Sequence, residues 1–316
     1  MSGPPNLSAV VLLVAATLPL QANAQATAEA TAPYNLTVSV NEVSLTFHAA
    51  DLHGLPLDDL RLGELKILNN GKPPRRMVFF GLMQDDPLRA GLLLDTSESM
   101  QSQLAANRAI SLRYAQRLVH RKIDEAFVMD FGYVSKIVQS WTHDPAVLAS
   151  GIRQVVAGSE NPLAGTALFD TVFRACFNLF GTTNSASNGN FILLFSDGED
   201  NASHTSLPEV VDICQRANTA IYAFRGEPNP SLFSSGPKTL ADLASQTGGR
   251  VSPAEDEDPA IDRDLQTIEA DLRSQYRLVY NPIELKHDGA FHRIELTAPE
   301  RVGSLRIRSG YYDQPR

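Results

Sequence analysis

Cysteine is scarce in this chain: Cys176 and Cys214 are the only two among 316 residues. Their number excludes a disulfide-dense scaffold, and neither has the spacing of a cysteine zinc site. Basic residues are outnumbered by acidic ones, 27 to 36, for a formal net charge of -9. That disfavours a nucleic-acid binder, which needs a basic field over the phosphates. No Gly-x-Gly-x-x-Gly and no phosphate loop follows an apolar run, which argues against nucleotide binding. The seven histidines are scattered, with no His-x-x-x-His pair to seat a catalytic zinc on a helix. After residue 20 no apolar run approaches the length of a membrane span.

What is present is enough for a sizeable core. Apolar residues make up 43% and charged residues 20%, as in ordinary globular proteins, and the length suits one large domain or two average ones. Leu7 to Leu20 is apolar apart from Ser8, Thr17 and Pro19, short for a membrane span. Ala22-Asn23-Ala24 then supplies the small-x-small pattern that precedes signal cleavage. Residues 1–24 therefore read as an export signal, placing the mature chain in the periplasm or outside the cell. No Lys or Arg precedes the apolar run, so an uncleaved anchor is the competing reading. Residues 25–33 are an Ala/Thr-rich spacer. In an oxidising compartment Cys176 and Cys214 either pair or remain two buried thiols, since pairing depends on geometry that sequence does not give.

Residues 34–86 read as a β-rich unit. Leu36, Val38 and Val40 alternate with polar residues, as do Val43, Leu45 and Phe47, the pattern of half-buried strands. Leu65 to Leu68 and Met77 to Phe80 flank Asn69-Asn70-Gly71, a turn sequence suited to a hairpin. Residues 87–275 alternate strand and helix. Strands are expected at Leu92–Leu94, Ala126–Met129, Ser135–Trp141, Phe191–Phe195 and Ile221–Phe224. Helices are expected at Ser102–Lys122, after the Asp144-Pro145 start signal, at Thr166–Phe180, from the Ser206-x-x-Glu209 capping box to about Asn218, at Thr239–Gln246, and from Asp258-Pro259 to about Ser274. That order implies an α/β fold with a doubly wound, mostly parallel sheet. Residues 276–316 return to strands at Tyr276–Tyr280, Phe291–Leu296 and Leu305–Ile307. Paired with the N-terminal strands, they would close a small β-rich unit around an inserted α/β domain.

The chemistry concentrates where apolar strands end. Leu92-Leu93-Leu94 runs into Asp95-Thr96-Ser97-Glu98-Ser99, and Phe191 to Phe195 runs into Ser196-Asp197-Gly198. Ligands of open α/β sheets bind at such carboxyl ends, where the strand order reverses. Asp95, Ser97, Ser99, Thr166 and Asp197 are therefore candidate metal ligands. All carry hard oxygens, the donors Mg²⁺ takes, with Mn²⁺ or Ca²⁺ as alternatives. Neutral hydroxyls leave the ion's charge largely unquenched, so a carboxylate from a partner protein can complete the shell. Glu98 alternates away from the two serines and is not assigned as a ligand. Other motifs carry less. Ser235-Gly236-Pro237-Lys238 matches an acyl-transfer pattern but reads as a surface turn. Glu255 to Asp258 reads as a solvated acidic run ahead of a helix, and Trp141 as core.

Asp95-Thr96-Ser97-Glu98-Ser99, Thr166 and Asp197-Gly198 resemble the metal-ion-dependent adhesion site of the von Willebrand factor type A (VWFA) domain, over roughly Leu88 to Ser274. The string Ser196 to Asn201, the lead-in Leu68 to Pro73 and the ending Gly303 to Tyr312 are similar to the exported "VWFA-related" proteins of Acidobacteria. Glu98 departs from the glycine often found there. The resemblance implies direct ligation by Ser97, Ser99 and Thr166, with Asp95 and Asp197 acting directly or through water. It also implies a shift of the last helix coupled to ligation. The expected function is a non-enzymatic, exported protein that binds a protein partner through a divalent metal. The alternatives are a metal-dependent hydrolase, with His143 or His204 approaching as base, and a scaffold subunit of an envelope complex.

Overall fold

A computed structural model describes residues 42–118, 121–158, 165–181, 189–225, 235–253, 258–284 and 289–312. The expected export signal, the spacer, the strand expected at Leu36–Val40 and the acidic residues Glu255 to Glu257 lie outside the described residues. In chain order the strands are β1 (Val43–Asp51), β2 (Lys66–Asn69) and β3 (Arg76–Leu82), then β4 (Leu88–Asp95). Helix α1 (Leu104–Leu118), the pair β5 (Glu125–Phe131) and β6 (Ser135–Thr142), α2 (Pro145–Gln154) and α3 (Leu168–Arg174) follow. Next come β7 (Gly189–Ser196), α4 (Leu207–Arg216), β8 (Thr219–Arg225), α5 (Gly236–Thr247), β9 (Val251–Pro253) and α6 (Asp258–Arg273). The chain ends in β10 (Tyr276–Asn281), β11 (Phe291–Thr297), β12 (Val302–Ile307) and β13 (Gly310–Tyr312).

The α/β part is the doubly wound sheet expected from the strand–helix alternation. Its order is β6-β5-β4-β7-β8-β9; only β6 runs antiparallel to its neighbour. All eight residues of β4 are buried, as befits a central strand covered on both faces. Leu92 and Leu94 face a core shared with Tyr114 of α1, Ile152 of α2 and Leu272 of α6. Leu93 faces the opposite core, with Val172 of α3, Cys214 of α4 and Leu243 of α5. The start signals act as their chemistry requires. Asp144 accepts from the amides of Ala146 and Val147 at 2.8 and 3.4 Å, and Glu209 accepts from the Ser206 amide at 2.7 Å, satisfying donors that a helix leaves open.

Strands from both ends of the chain build the β-rich unit. One antiparallel sheet has the order β12-β1-β10-β3 and a second the order β13-β11-β2. They share a core in which Leu45, Phe47, Tyr276 and Tyr280 of the first sheet meet Ile67, Ile294 and Tyr311 of the second. The Asn69–Gly71 turn forms, with Asn70 and Gly71 at φ of 50° and 74° and mutual amide bonds between Asn69 and Lys72. The hairpin expected around it does not. β2 pairs with β11 and β3 with β10, in different sheets. Pro73 and Pro74 follow the turn and have no N–H with which to extend a ladder.

Cys176 and Cys214 form a disulfide, with Cα atoms 5.1 Å apart. Cys176 sits in the π-helical turn Ala175–Phe180 that prolongs α3, so the bond ties α3 to α4. A second joint holds α6 to the β-rich unit. Buried His48 of β1 lies with Nε2 3.1 Å from Asp271 Oδ1 of α6 and Nδ1 2.9 Å from the guanidinium of Arg306 on β12. Arg306 also pairs with Asp271.

Candidate functional site

The strand order reverses at β4: the chain moves from β4 to β5 on one side and later returns to place β7 on the other. The carboxyl ends of β4 and β7 thus form the crevice where such sheets bind ligands. Asp95 is the last residue of β4 and is fully buried. Its Oδ1 accepts from the Ser97 amide at 2.9 Å, which bends the chain into the 3₁₀ turn Glu98–Met100. Met100, fully buried, anchors that turn. The hydroxyls of Ser97 and Ser99 then stand 3.3 Å apart on its accessible side. Glu98, between them, is exposed.

Three sets of bonds bring the remaining candidates to the same rim. Ser196, last of β7, donates its hydroxyl to Asp95 Oδ2 at 2.7 Å and accepts from the Gly198 amide at 3.0 Å. Asp197, between them in the chain, is buried and accepts from the Glu199 amide at 3.1 Å. Asn201 joins this loop to Thr166: its Oδ1 accepts from the Thr166 amide at 2.7 Å, and its own amide donates to the Thr166 carbonyl at 3.1 Å. Gly165 makes that approach possible, since a Cβ there would lie 2.3 Å from Asn201 Oδ1. Gly132, after β5, closes the circuit. Its carbonyl accepts from Ala167 at 2.8 Å, and its Cβ position lies 3.9 Å from the Ser97 backbone. Farther out, Asp170 accepts from the amides of His204 and Thr205. Burial works to raise its pKa, but these bonds outweigh it and hold the carboxyl at about 2.

The electrostatics suit a cation. Burial pushes the Asp95 carboxyl up to about 6; hydrogen bonds from Ser97 and Ser196 oppose the shift and the nearby Asp197 charge adds to it. A buried carboxylate normally finds a cationic partner, whereas the charge acting on Asp95 has the same sign. No Lys or Arg occurs from Asp95 to Gln103 or from Asp197 to Ser206. Among the described residues no group of three or more His, Cys, Asp or Glu is placed to hold a metal, so an ion here would depend on hydroxyl oxygens as well as the two aspartates. The donor set fits a hard dication such as Mg²⁺.

Sequence reading missed the residues that lock the loops together. Ser196 and Asn201 stand in the string noted for its resemblance but received no role, and Gly132 was not singled out. Of the two histidines considered as bases, His143 bonds the Asp124 carbonyl at 2.8 Å, just before β5 and so at the opposite end of the sheet. His204 is 93% exposed and stands 3.4 Å from Asp170. Ser235 and Lys238 belong to the start of α5, where Lys238 pairs with Asp242 and Glu199 accepts from the Gly236 amide. Trp141 is a packing residue, edge-on to Phe127 and Phe180, with the buried Arg89 guanidinium 4.1 Å over its ring.

No protein-family model and no curated protein matches the chain. Solved structures do. The conserved hypothetical protein BatB from Bacteroides thetaiotaomicron is 15% identical, over 57% of this chain and 97% of its own, with a TM-score of 0.46. The vWF domain of the type V pili tip protein Mfa5 from Porphyromonas gingivalis is 12% identical, over 58% of this chain and 95% of its own, at 0.45. Proximal thread matrix protein 1 from the mussel byssus, solved with a zinc-occupied MIDAS motif, is 14% identical over 63% of this chain and 48% of its own, at 0.48.

Proposed function

We propose that this chain is an exported VWFA-type binding protein in which Asp95, Ser97, Ser99, Thr166 and Asp197 hold a divalent cation, Mg²⁺ first. The observation that carries this reading is the buried Asp95 carboxylate with Asp197 as its charged neighbour, at the sheet's point of strand reversal and beside the mutually bonded hydroxyls of Ser97 and Ser99. When bound, the ion supplies a Lewis-acidic centre that attracts an anionic oxygen. The chain's own residues do the rest. Ser97 and Ser99 present neutral oxygens from a turn fixed by Asp95 and Met100. Asn201 sets the position of Thr166, and Ser196 fixes Asp95. The partner is a protein whose Asp or Glu side chain completes the coordination. The disulfide between Cys176 and Cys214 supports an oxidising compartment, periplasmic or extracellular, and among the described residues no helix is long and apolar enough to cross a membrane.

Calorimetric titration of Mg²⁺ into the wild-type chain and into Asp95→Ala tests the site. Saturable heat in the wild type and none in the variant is expected; equal signals remove the proposal. Mn²⁺ and Ca²⁺ titrated in parallel rank the ions.

A further inference from the structure

Residues just outside the five oxygens say what kind of partner the rim fits. Gly132 lies against Ser97 and bonds Ala167, so the β5–β6 turn sits between two of the candidate ligands. Tyr133 and Val134 form the tip of that turn and are 57% and 72% exposed. On the other flank Gly158 donates to the Thr96 carbonyl at 3.0 Å, and Val156, two residues before it, is 63% exposed. Turn tips are ordinarily occupied by Gly, Asn, Asp, Ser or Pro. Neither the strand pairing nor the packing of α2 calls for large apolar side chains at these three positions. Exposed apolar side chains on two flanks of a polar site match the apolar centre and polar contacts of an interface.

We propose that the rim recognises a protein segment with a single carboxylate flanked by apolar side chains. The carboxylate goes to the ion, and the neighbours pack on Tyr133, Val134 and Val156. This rests on the metal-site reading above. Charge selects against the other acidic partner, a run of carboxylates. Glu98 stands exposed between the two serines, and Glu199 and Asp200 lie in the adjoining loop. A second partner carboxylate within the screening length of about 8 Å at physiological salt is repelled by them, while an apolar neighbour is not.

Random twelve-residue peptides displayed on phage, selected on the immobilised full chain in Mg²⁺ and eluted with chelator, test this. Enriched peptides are expected to carry one Asp or Glu with Phe, Leu, Ile, Val or Tyr within two positions. As synthetic peptides they should bind Tyr133→Ser/Val134→Ser at least tenfold more weakly, with the Mg²⁺ heat of that variant unchanged. Replacing exposed side chains leaves the core intact, which circular dichroism verifies. Enrichment of polyacidic peptides, or equal affinity for wild type and double variant, overturns the rim proposal while leaving the metal site standing. Absence of Mg²⁺ heat in the wild type overturns the metal site itself. Mg²⁺-independent binding to phosphatidylglycerol vesicles, lost in the same double variant, would make the tip a membrane contact and also overturn the proposal.

Discussion

Asp95 holds a charge that the metal-free fold does not balance. Its pKa is raised to about 6, so in the metal-free chain protonated Asp95 supports the fold at low pH, and that support is lost as pH rises through 6. At pH 7.5 Asp95→Asn should therefore stabilise the metal-free protein, by up to about 3 kcal/mol. The same substitution should abolish the metal response. At free Mg²⁺ a hundredfold above Kd the wild type should gain about 2.7 kcal/mol, or a Tm rise of about 5–10 °C, and the variant none. Thermal melts with and without Mg²⁺ read both effects; a variant that still gains stability from Mg²⁺ would exclude Asp95 from the site. Asn201 acts one step removed. Asn201→Ala frees the buried Thr166 amide and should weaken Mg²⁺ binding about tenfold or more, measured by calorimetry, while the orphaned donor lowers Tm in chelator by a few degrees, about 1–3 kcal/mol. Asp95, Ser97 and Ser99 were legible in sequence because they crowd one strand end. Asn201 meets Thr166 across 35 positions, and a contact of that kind has no periodicity to read.

At the scale of elements, the most consequential pair is α3 and α4. Thr166 stands at the entry to α3, and the Asp197 loop leads into α4. Their amino ends are joined through Asn201 and Asp170 and their bodies through Cys176–Cys214. The bond closes a loop of sequence separation 38, for which the chain-entropy estimate is about 4 kcal/mol. Cys176→Ala/Cys214→Ala should lower the urea-unfolding free energy by up to that amount while the Mg²⁺ heat at 25 °C persists. Loss of Mg²⁺ binding in a folded double variant would mean that the staple positions the site and does not merely stabilise it. Helix starts were readable because capping is local: Asp144-Pro145 and Ser206-x-x-Glu209 each state their structure within four residues. The three-residue strands β9 and β13 carry no alternation long enough to register. The π-helical turn after α3 interrupts a continuous helical pattern. The Asn-Gly turn was read correctly, but the partners of its flanking strands were settled by the two prolines and by β10 and β11, more than 190 residues downstream by the registers of those pairings.

On the whole-molecule scale the first and last strands among the described residues form one β-rich unit, and that unit is joined to the α/β part through α6. The general plan was legible because strand alternation at both ends and β–α alternation between them are repeated signals. The joint was not, since His48, Asp271, Arg306 and Arg250, whose guanidinium lies 3.7 Å from Asp271, come from four separate stretches and each alone resembles a surface residue. His48 is almost fully buried; burial first, then the charges of Arg306 and Arg250, depress its pKa to about 3. Neutral, it can keep Nε2 toward Asp271 and accept from Arg306 at Nδ1. The unfolded chain takes up this proton as pH falls below about 6.5, and the folded chain does so only near 3. The contribution of His48 is thus complete above 6.5 and declines by up to about 1.4 kcal/mol per pH unit below it. Asp271 and Asp95, both raised by burial, pull in the opposite direction, so the wild-type slope alone does not isolate the histidine. The difference between wild type and His48→Asn does. Urea unfolding at pH 7.5, 6 and 5 should show the variant less stable at pH 7.5 and the gap narrowing by up to about 2 kcal/mol by pH 5. A gap that instead widens by about 1.4 kcal/mol as pH falls from 7.5 to 6.5 and then stays level would mean that His48 already carries its proton in the folded state, paired with Asp271, and that the joint between α6 and the β-rich unit is a salt bridge and not a neutral contact.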